Sequence, residues 1–343
     1  MTGTFTSPSS AALKRTRELI LPGLRAAVDA LHPRLATACG YHLGWCAADG
    51  TPATGTAQGK FVRATLVLLS AEAAGGRAEA AVPGAVAVEL IHNHSMLHDD
   101  VIDADDLRRG RRTAWLAYGT GTAILAGDAL AAAAIVQLAA IGTDPGRRAL
   151  QLLADGLRRL CDGQAADVEL EEGTAFTVED YLRMAADKTS ALLAAAAGIG
   201  AVLAEADEAT VQCLQDACHD LGLAWQAAND VEDIWGPPAV TGKPPLSDLR
   251  QGKTTLPVLA ALLSNTAAGR ELAALRAVQG SRDDETLERI AELIVRAGGR
   301  AVAERLARDK LAAALARLDH LAAPVSSRQA LASLFRFAVT RQA

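Results

Sequence analysis

The sequence predicts an all-α protein, and three observations support that prediction. Half of the 343 residues are hydrophobic but only 3% are aromatic, and alanine, the residue with the highest helix propensity, makes up much of the difference. Segments of helical length carry apolar residues at positions i, i+3 and i+4. No segment shows the sustained alternation of β-branched residues that predicts strands. The sequence therefore predicts one large helical domain.

The helices are expected in order from the N-terminus, with glycine and proline marking the breaks. Residues 1–10 are rich in serine and threonine and are expected to be disordered. Helical periodicity begins near Ala11, and residues 11–343 are expected to form the single domain. Short breaks are expected at residues 55–59, 75–76, 83–84, 142–146, 173, 236–242 and 280.

The composition argues against several classes of function. The chain has 40 acidic and 34 basic residues and a net charge of -6, which argues against nucleic acid as a partner. Its five cysteines form no CxxC pair, so no disulfide framework or zinc site is indicated. The apolar runs 123–140 and 191–204 are expected to be buried helices, because the first contains Asp128 and the second is too short to span a bilayer. We expect a cytoplasmic protein without a secretory signal or transmembrane segment.

The first acidic cluster follows an apolar helical segment, in the stretch LHDDVIDADDLRRGRRT at 97–113. On a helix, Asp99, Asp100 and Asp103 share one face and repel one another. Magnesium would remove that repulsion, since it prefers oxygen ligands and often joins one or two carboxylates to ligand phosphates. The arginines that follow suit the remaining phosphate oxygens. The alternative is a solvated helix end carrying salt-bridged charges.

A second cluster repeats the spacing of the first. Asn229, Asp230 and Asp233 lie in QAANDVEDIWG and again follow an apolar helical stretch. Basic residues follow in TGKPPLSDLRQGKTTLP. A helical bundle can place two such faces on opposite sides of its core. The pair of clusters therefore predicts one pocket for a metal and a diphosphate, and two unrelated solvated charge runs become the less favoured interpretation.

From about Gly59 to Pro257 the chain resembles the trans-type polyprenyl diphosphate synthases. The resemblance lies in six motifs in a fixed order: GKFVR, HDDVID with RRG, GQAAD, DKTS, NDVED and DLRQGK. It implies the isoprenoid synthase fold, a single bundle of antiparallel helices around a deep central cavity, usually dimeric. It also implies a prenyltransferase that uses two or three Mg²⁺ ions to join isopentenyl diphosphate to an allylic diphosphate.

The resemblance also implies roles for individual residues. The magnesium ligands would be Asp99, Asp100, Asp103, Asn229, Asp230 and Asp233. The allylic diphosphate would contact Arg108, Lys188 and Lys243. Isopentenyl diphosphate would be held by Lys60, Arg63, His92 and Arg109. The reacting centre would be lined by Gln164, Thr189 and Gln226, with Asp248 and Lys253 closing the other end of the site. His94 and His98 are expected to be packing or supporting residues.

The chain departs from the family pattern at Asn229, where the family usually has aspartate. An amide oxygen still ligates magnesium but brings no negative charge, so weaker binding of one ion is expected. If turnover in an Asn229→Asp variant keeps the same magnesium dependence, Asn229 is not a ligand.

The length of the product is expected to depend on the cavity floor, which in this family precedes the first cluster. Ile91, His94 and Ser95 occupy those positions, with neither phenylalanine nor tyrosine at 94 or 95. This pattern favours geranylgeranyl diphosphate over farnesyl diphosphate as the product. A terpene cyclase is a second alternative, although it has no use for the isopentenyl diphosphate site at Lys60, Arg63 and Arg109. A third alternative is a non-catalytic subunit that depends on a partner, in which eroded acidic clusters would be expected.

Overall fold

The computed structural model describes residues 8–53, 59–171, 176–237, 245–277 and 283–340, and most of them are helical. The N-terminal half contains α1 (Pro8–Asp29), α2 (Pro33–His42), α3 (Val62–Ala73), α4 (Ala78–Ile102), a hairpin of β1 (Leu107–Arg108) and β2 (Arg111–Arg112), α5 (Ala114–Tyr118), α6 (Thr120–Ala139) and α7 (Asp144–Glu171). The C-terminal half contains α8 (Val178–Ala185), a π-helical segment (Ala186–Ser190), α9 (Ala191–Leu203), α10 (Glu208–Trp235), α11 (Ser247–Arg250), α12 (Leu256–Leu262), α13 (Ala267–Arg276), α14 (Asp284–Arg296), α15 (Gly299–Asp319) and α16 (Val325–Thr340). The predicted all-α fold is confirmed.

The core is built around α9, which packs against α3, α4, α7 and α10. Every residue from Ala191 to Val202 is buried, and most of them are alanine or glycine, which lets neighbouring backbones approach closely. A Cβ at Gly200 would lie 2.1 Å from the carbonyl oxygen of Val67 on α3. The high alanine content therefore serves close helix packing as well as helix propensity.

Two predicted boundaries are wrong. The first helix begins at Pro8 rather than near Ala11, because proline is tolerated in the first turn of a helix, where its missing N–H has no partner to lose. The predicted helix break at residues 83–84 does not occur, because both residues lie within α4. Gly84 is there for packing, since a Cβ on it would lie 2.5 Å from Ile199 Cγ2. Of the predicted disordered stretch, residues 1–7 lie outside the described residues.

Two helical stretches, Thr120–Ala139 and Val178–Leu203, are long and apolar enough to cross a membrane by length and composition. The stretch Val178–Leu203 is 78% buried and belongs to the core. Burial was predicted for the apolar run 191–204. The first is only 39% buried. The expectation of a buried helix at 123–140 is therefore wrong for one face of α6, where Leu125 and Val136 are exposed.

The π-helical segment contains the DKTS motif and lies between two glycines on neighbouring helices. A Cβ on Gly163 of α7 would lie 2.1 Å from the backbone nitrogen of Lys188, and a Cβ on Gly222 of α10 would lie 2.3 Å from Ser190 Oγ. Helices α7 and α10 thus pack directly against this segment. The extra residue of a π turn changes the direction in which the following side chains point, and such turns recur at functional sites.

Candidate active site

The first acidic cluster lies at the C-terminal end of α4, and its carboxylates point in different directions. Asp99 lines a cavity of about 350 Å³ bounded by α3, α4, α7, α9 and α10. Asp100 is only 1% exposed and accepts a hydrogen bond from Nε of Arg108 on β1. Its second oxygen, Oδ2, has no hydrogen-bond partner among the described residues. Asp99 therefore faces the cavity, while Asp100 holds Arg108 in position.

The β1–β2 hairpin directs the arginines that follow this cluster. Arg109 and Gly110 both have positive φ, at 53° and 74°, as the central residues of a tight two-residue hairpin turn require. Arg108, on β1 just before the turn, pairs with Asp100 and with Asp105, whose carboxylate lies 3.4 Å away. Arg111 has a structural role, because it donates hydrogen bonds to the carbonyl oxygens of Tyr41 and Cys46.

The second cluster lies near the end of α10 and also divides into two roles. Asn229 and Asp233 line the cavity. Asp230 is buried and accepts hydrogen bonds from the Tyr181 hydroxyl at 2.5 Å, Gln226 Nε2 at 2.9 Å and the Leu256 backbone N–H at 2.9 Å. Asp230 therefore ties α10 to α8 and α12.

Lysines connect the acidic residues across the site. Lys253 Nζ lies 2.7 Å from Asp103 Oδ2, which joins the segment after α11 to the end of α4. Lys188 Nζ, on the π-helical segment, lies 2.5 Å from Asp167 Oδ2 on α7. Lys188 and Asp233 line both the main cavity and an adjoining cavity of about 110 Å³. Carboxylates and lysine ammonium groups therefore lie next to one another along the two adjoining cavities. This arrangement is suited to a metal and an anion bound together.

The main cavity holds polar groups that lack partners within the protein. Gln164 is buried on α7, and neither atom of its side-chain amide has a hydrogen-bond partner among the described residues. Thr189 Oγ1 donates to Gln226 Oε1 at 2.7 Å on the opposite wall. Because buried polar atoms are usually paired, the Gln164 amide is suited to contact a ligand.

A second basic group lies on α3 and α4. Arg63 lies 3.4 Å from His92 Nε2 and stacks on the Trp225 ring. Buried Glu89 lies beside Arg63 and Arg109, whose opposite charges act on its carboxyl. Lys60 is exposed and lies 5.3 Å from the centre of the Phe337 ring. Arg63, His92 and Arg109 thus gather near the first cluster, whereas Lys60 lies over α16.

Burial disturbs the ionisation of the site. It raises the pKa of Asp99 and raises the pKa values of Asp100 and Asp230 to about 6. Burial would lower the pKa of Lys188, but Asp167 and Asp99 hold it above its usual value. Burial, helped by Arg63, holds the pKa of His92 well below its usual range, so its imidazole is neutral. Such crowded carboxylates are stabilised in the ionised form by a cation.

A third cavity, of about 400 Å³ and largely apolar, extends between α4 and α7. His94 and Ser95 line it, and Ser95 also lines the main cavity. Ile91 is fully buried in the hydrophobic core and lines neither cavity. Of the three predicted floor positions, two therefore lie on a cavity wall and one lies behind it.

Most of the predicted site residues come together. The main cavity is lined by Arg63, His92, Ser95, Asp99, Arg108, Gln164, Lys188, Thr189, Gln226, Asn229 and Asp233, and the adjoining cavity adds Asp230, Asp248 and Lys253. Asp100 and Arg109 share a small recess beside Tyr41 and His42. Lys243 lies outside the described residues.

Several residues of the site were not predicted. Glu89 and Asp167 each pair with predicted cations, and Asp167 closes the GQAAD motif. Tyr181 and Trp225 hold Asp230 and Arg63 respectively. The motif could have indicated Asp167, but Tyr181 lies 49 positions from its partner in the sequence and no local pattern connects the two.

Comparison with known proteins agrees with the fold and identifies a family. A model of the family described as polyprenyl synthetase matches residues 52–294. The geranylgeranyl diphosphate synthase of Mycobacterium tuberculosis is 46% identical over 90% of this chain and 88% of its own length. A (2E,6E)-farnesyl diphosphate synthase of Mycobacterium bovis is 40% identical over 95% of this chain and 91% of its own length.

Solved structures show the same fold. The polyprenyl synthetase of Streptomyces coelicolor superposes with a TM-score of 0.92 at 45% identity, covering 96% of this chain and 99% of that one. A polyprenyl synthase of Caulobacter crescentus, complexed with calcium and isoprenyl diphosphate, gives 0.82 at 31% identity, covering 97% and 98%. Because the family model matches residues 52–294 and these relatives cover most of the chain, the chain belongs to the polyprenyl synthetase family of prenyltransferases, as its six motifs predicted.

Proposed function

We propose that this chain joins isopentenyl diphosphate to an allylic diphosphate and releases a linear trans-prenyl diphosphate, with geranylgeranyl diphosphate as the final product. One observation carries the proposal: the carboxylates of α4 and α10 border a single cavity, and Lys253 connects the two sides through Asp103. Basic groups border this cavity and the recess beside it: Arg63, Arg108 and Lys188 line the cavity, and Arg109 shares the recess with Arg108.

The donor set fits magnesium. The clusters offer only oxygen atoms, which magnesium prefers, and a bound cation would favour the ionised form of Asp99, whose pKa is raised by burial. We assign as the principal ligands Asp99 and Asp233, which line the cavity, and Asp103, which pairs with Lys253. Asn229 would be a weaker ligand, and Asp100 and Asp230 mainly orient Arg108 and α10. When bound, magnesium supplies charge neutralisation for the leaving diphosphate.

The residues of the chain then carry the following steps. Lys188 and Arg108 bind the allylic diphosphate, so that its C–O bond ionises to an allylic cation and free diphosphate. Thr189, Gln226 and Gln164 border the cation, while the apolar wall excludes water. Arg63, His92 and Arg109 hold isopentenyl diphosphate, whose double bond attacks the cation to form the new C–C bond. A proton is then lost to the departed diphosphate, which restores the double bond.

The product length follows from the apolar cavity beyond Ser95. The small side chain of Ser95 lies between the main cavity and the apolar cavity, and His94 forms part of the wall of the apolar cavity. This supports a product longer than farnesyl diphosphate. Farnesyl diphosphate remains the second candidate, since relatives at 40% identity are farnesyl diphosphate synthases.

The exposed face of α6 is assigned to a second copy of this chain. Leu125 and Val136 are exposed there, the latter by 65%, together with Ile124 and Ile135. Contiguous apolar surface of this kind indicates an interface, and pairing two copies covers it without a membrane. We therefore propose a homodimer in the cytoplasm. Sedimentation of the wild type and of a Val136→Lys variant tests this, because the variant should sediment as a monomer.

A product assay tests the proposed reaction. Purified protein is incubated with magnesium, isopentenyl diphosphate and, separately, dimethylallyl, geranyl or farnesyl diphosphate, and the products are identified by mass. Extension by five-carbon units supports the proposal and gives the length. Release of a hydrocarbon or alcohol without extension would assign the chain to the terpene cyclases. The absence of any reaction would indicate a subunit that needs a partner.

A further inference from the structure

Three potential metal ligands meet outside the aspartate-rich cavity, between α4 and α6. His94 and His98 lie one turn apart on α4, with ring centres 4.4 Å apart, and Asp128 approaches from α6. His98 Nε2 lies 3.5 Å from Asp128 Oδ1, and one ligand atom from each residue lies within 4.8 Å of the other two. Two histidines at i and i+4 present their rings on one face of a helix, a spacing that recurs in zinc sites.

The surrounding backbone makes room for this cluster. A Cβ on Gly127 would lie 2.3 Å from His98 Nε2, so only glycine at this position lets the imidazole lie against α6. His98 Nε2 is also 3.1 Å from the carbonyl oxygen of Ile124. Without a metal, a proton on Nε2 satisfies that oxygen, and a cation that binds Nε2 would displace the proton.

One ring nitrogen of His94 lacks a partner that would explain its position. The residue is more than nine-tenths buried, and its Nδ1 atom has no hydrogen-bond partner among the described residues. Burying a polar nitrogen without a partner is unfavourable. If position 94 served only to pack α4 against its neighbours, an apolar side chain would be buried there at a lower cost in free energy. The imidazole therefore indicates that position 94 binds a metal ion.

We propose that His94, His98 and Asp128 bind a divalent cation of the zinc type, separately from the proposed magnesium positions. Two imidazole nitrogens and one carboxylate suit Zn²⁺ and leave a fourth position open, whereas magnesium favours oxygen ligands alone. The Asp128 side chain is 58% exposed in the isolated chain. The bound cation connects α4 to α6 at the wall of the apolar cavity, which His94 lines.

Cobalt titration of the full-length protein tests this site. Co²⁺ stands in for Zn²⁺, and saturating Mg²⁺ keeps the aspartate-rich cavity occupied. We expect one equivalent of Co²⁺ to give the visible absorption bands of a four- or five-coordinate site with nitrogen ligands, and Zn²⁺ to abolish them. His94→Gln and Asp128→Asn should each weaken binding by at least about 100-fold, since even outer contacts of a metal ligand are worth about 10- to 100-fold.

The matched control is His320→Gln, which removes an exposed histidine at the end of α15 and should leave Co²⁺ binding unchanged. Asp128 is exposed, so the Asp128→Asn variant should fold even if His94→Gln does not. Unchanged Co²⁺ binding in the Asp128→Asn variant, or no saturable binding in the presence of Mg²⁺, would overturn the proposal. Turnover is not part of this readout, so the result does not depend on the proposed reaction.

Discussion

Lys253 donates a hydrogen bond to Asp103 at 2.7 Å, across 150 positions of sequence. The contact joins the end of α4 to the segment that follows α11, and both side chains are largely buried. An ion pair in this position neutralises one carboxylate of the first cluster before any ligand arrives. It also holds together two walls of the cavity that belong to opposite halves of the chain.

Replacing Lys253 by methionine should lower turnover by about 100-fold, the usual cost of removing one oriented charged or donor group from an active site. Methionine keeps most of the length of the side chain but loses the charge that faces Asp103. Steady-state kinetics at saturating magnesium measures the effect. Arg250→Gln is the matched control, because Arg250 lies in the same motif but pairs with exposed Asp284. Equal rates in the two variants would exclude a role for Lys253.

The two acidic clusters should separate into functional and structural carboxylates. Asp99→Ala should abolish turnover but leave the melting temperature in EDTA nearly unchanged. Asp230→Ala should lower the free energy of unfolding by about 1–3 kcal/mol, because the donors on Tyr181, Gln226 and Leu256 lose their acceptor. Thermal unfolding in EDTA, followed by assays with magnesium, measures both. If the two variants melt at the same temperature, the division of roles is wrong.

Stability in EDTA should depend on pH through Asp230. Burial raises its pKa from the ordinary value of 3.8 to about 6 in the folded protein. A raised carboxyl pKa means that folding favours the protonated form. The contribution of Asp230 to the free energy of unfolding is therefore fully present below pH 3.8 and is lost as the pH rises through about 6.

The Asp230→Asn variant has no carboxyl at this position that could ionise. Its free energy of unfolding should therefore fall less than that of the wild type as the pH rises from 3.8 to about 6. Urea unfolding at several pH values on either side of 6 gives the comparison. Asp216→Asn is a control at a more exposed carboxylate on the same helix. Parallel profiles for wild type and Asp230→Asn would contradict the assignment.

Ser95→Phe should shorten the product by at least one five-carbon unit. Ser95 lines both the main and the apolar cavities, so a phenyl ring there obstructs the path of the growing chain. Mass analysis of the products gives the length directly. Ser95→Ala, which removes the hydroxyl without adding volume, should keep the original product. An unchanged product in Ser95→Phe would place the limiting wall elsewhere.

Gly163→Ala should lower both stability and turnover. Its Cβ would lie 2.1 Å from the backbone nitrogen of Lys188, so the π-helical segment would have to move away from α7. Gly121→Ala is the control, because no atom lies within 4 Å of a Cβ there. Differential scanning calorimetry and the product assay compare the variants. A Gly163→Ala variant that melts and turns over like Gly121→Ala would show that the segment tolerates displacement.

The sequence alone predicts the helical fold and most of the residues that form the site. It can do so because each motif is local and the order of the motifs is specific to the family. It does not predict that Asp99 lines the main cavity whereas Asp100, adjacent in the chain, does not. That difference depends on Arg108 of β1, which pairs with the Asp100 carboxylate. It also misses Tyr181 and Glu89, since each contacts the site through tertiary packing rather than through a pattern.

The direction of Lys188 is set by the number of residues in its helix as well as by its identity. The π-helical segment Ala186–Ser190 contains an extra residue relative to regular α-helix. Deleting one residue there would restore a regular helix and rotate Lys188 by about 100° relative to the following turns. A change of that kind is not reachable by point substitution. Laboratory evolution that samples only substitutions would keep this lysine in its present direction, whereas variation in length could reposition it in a single step.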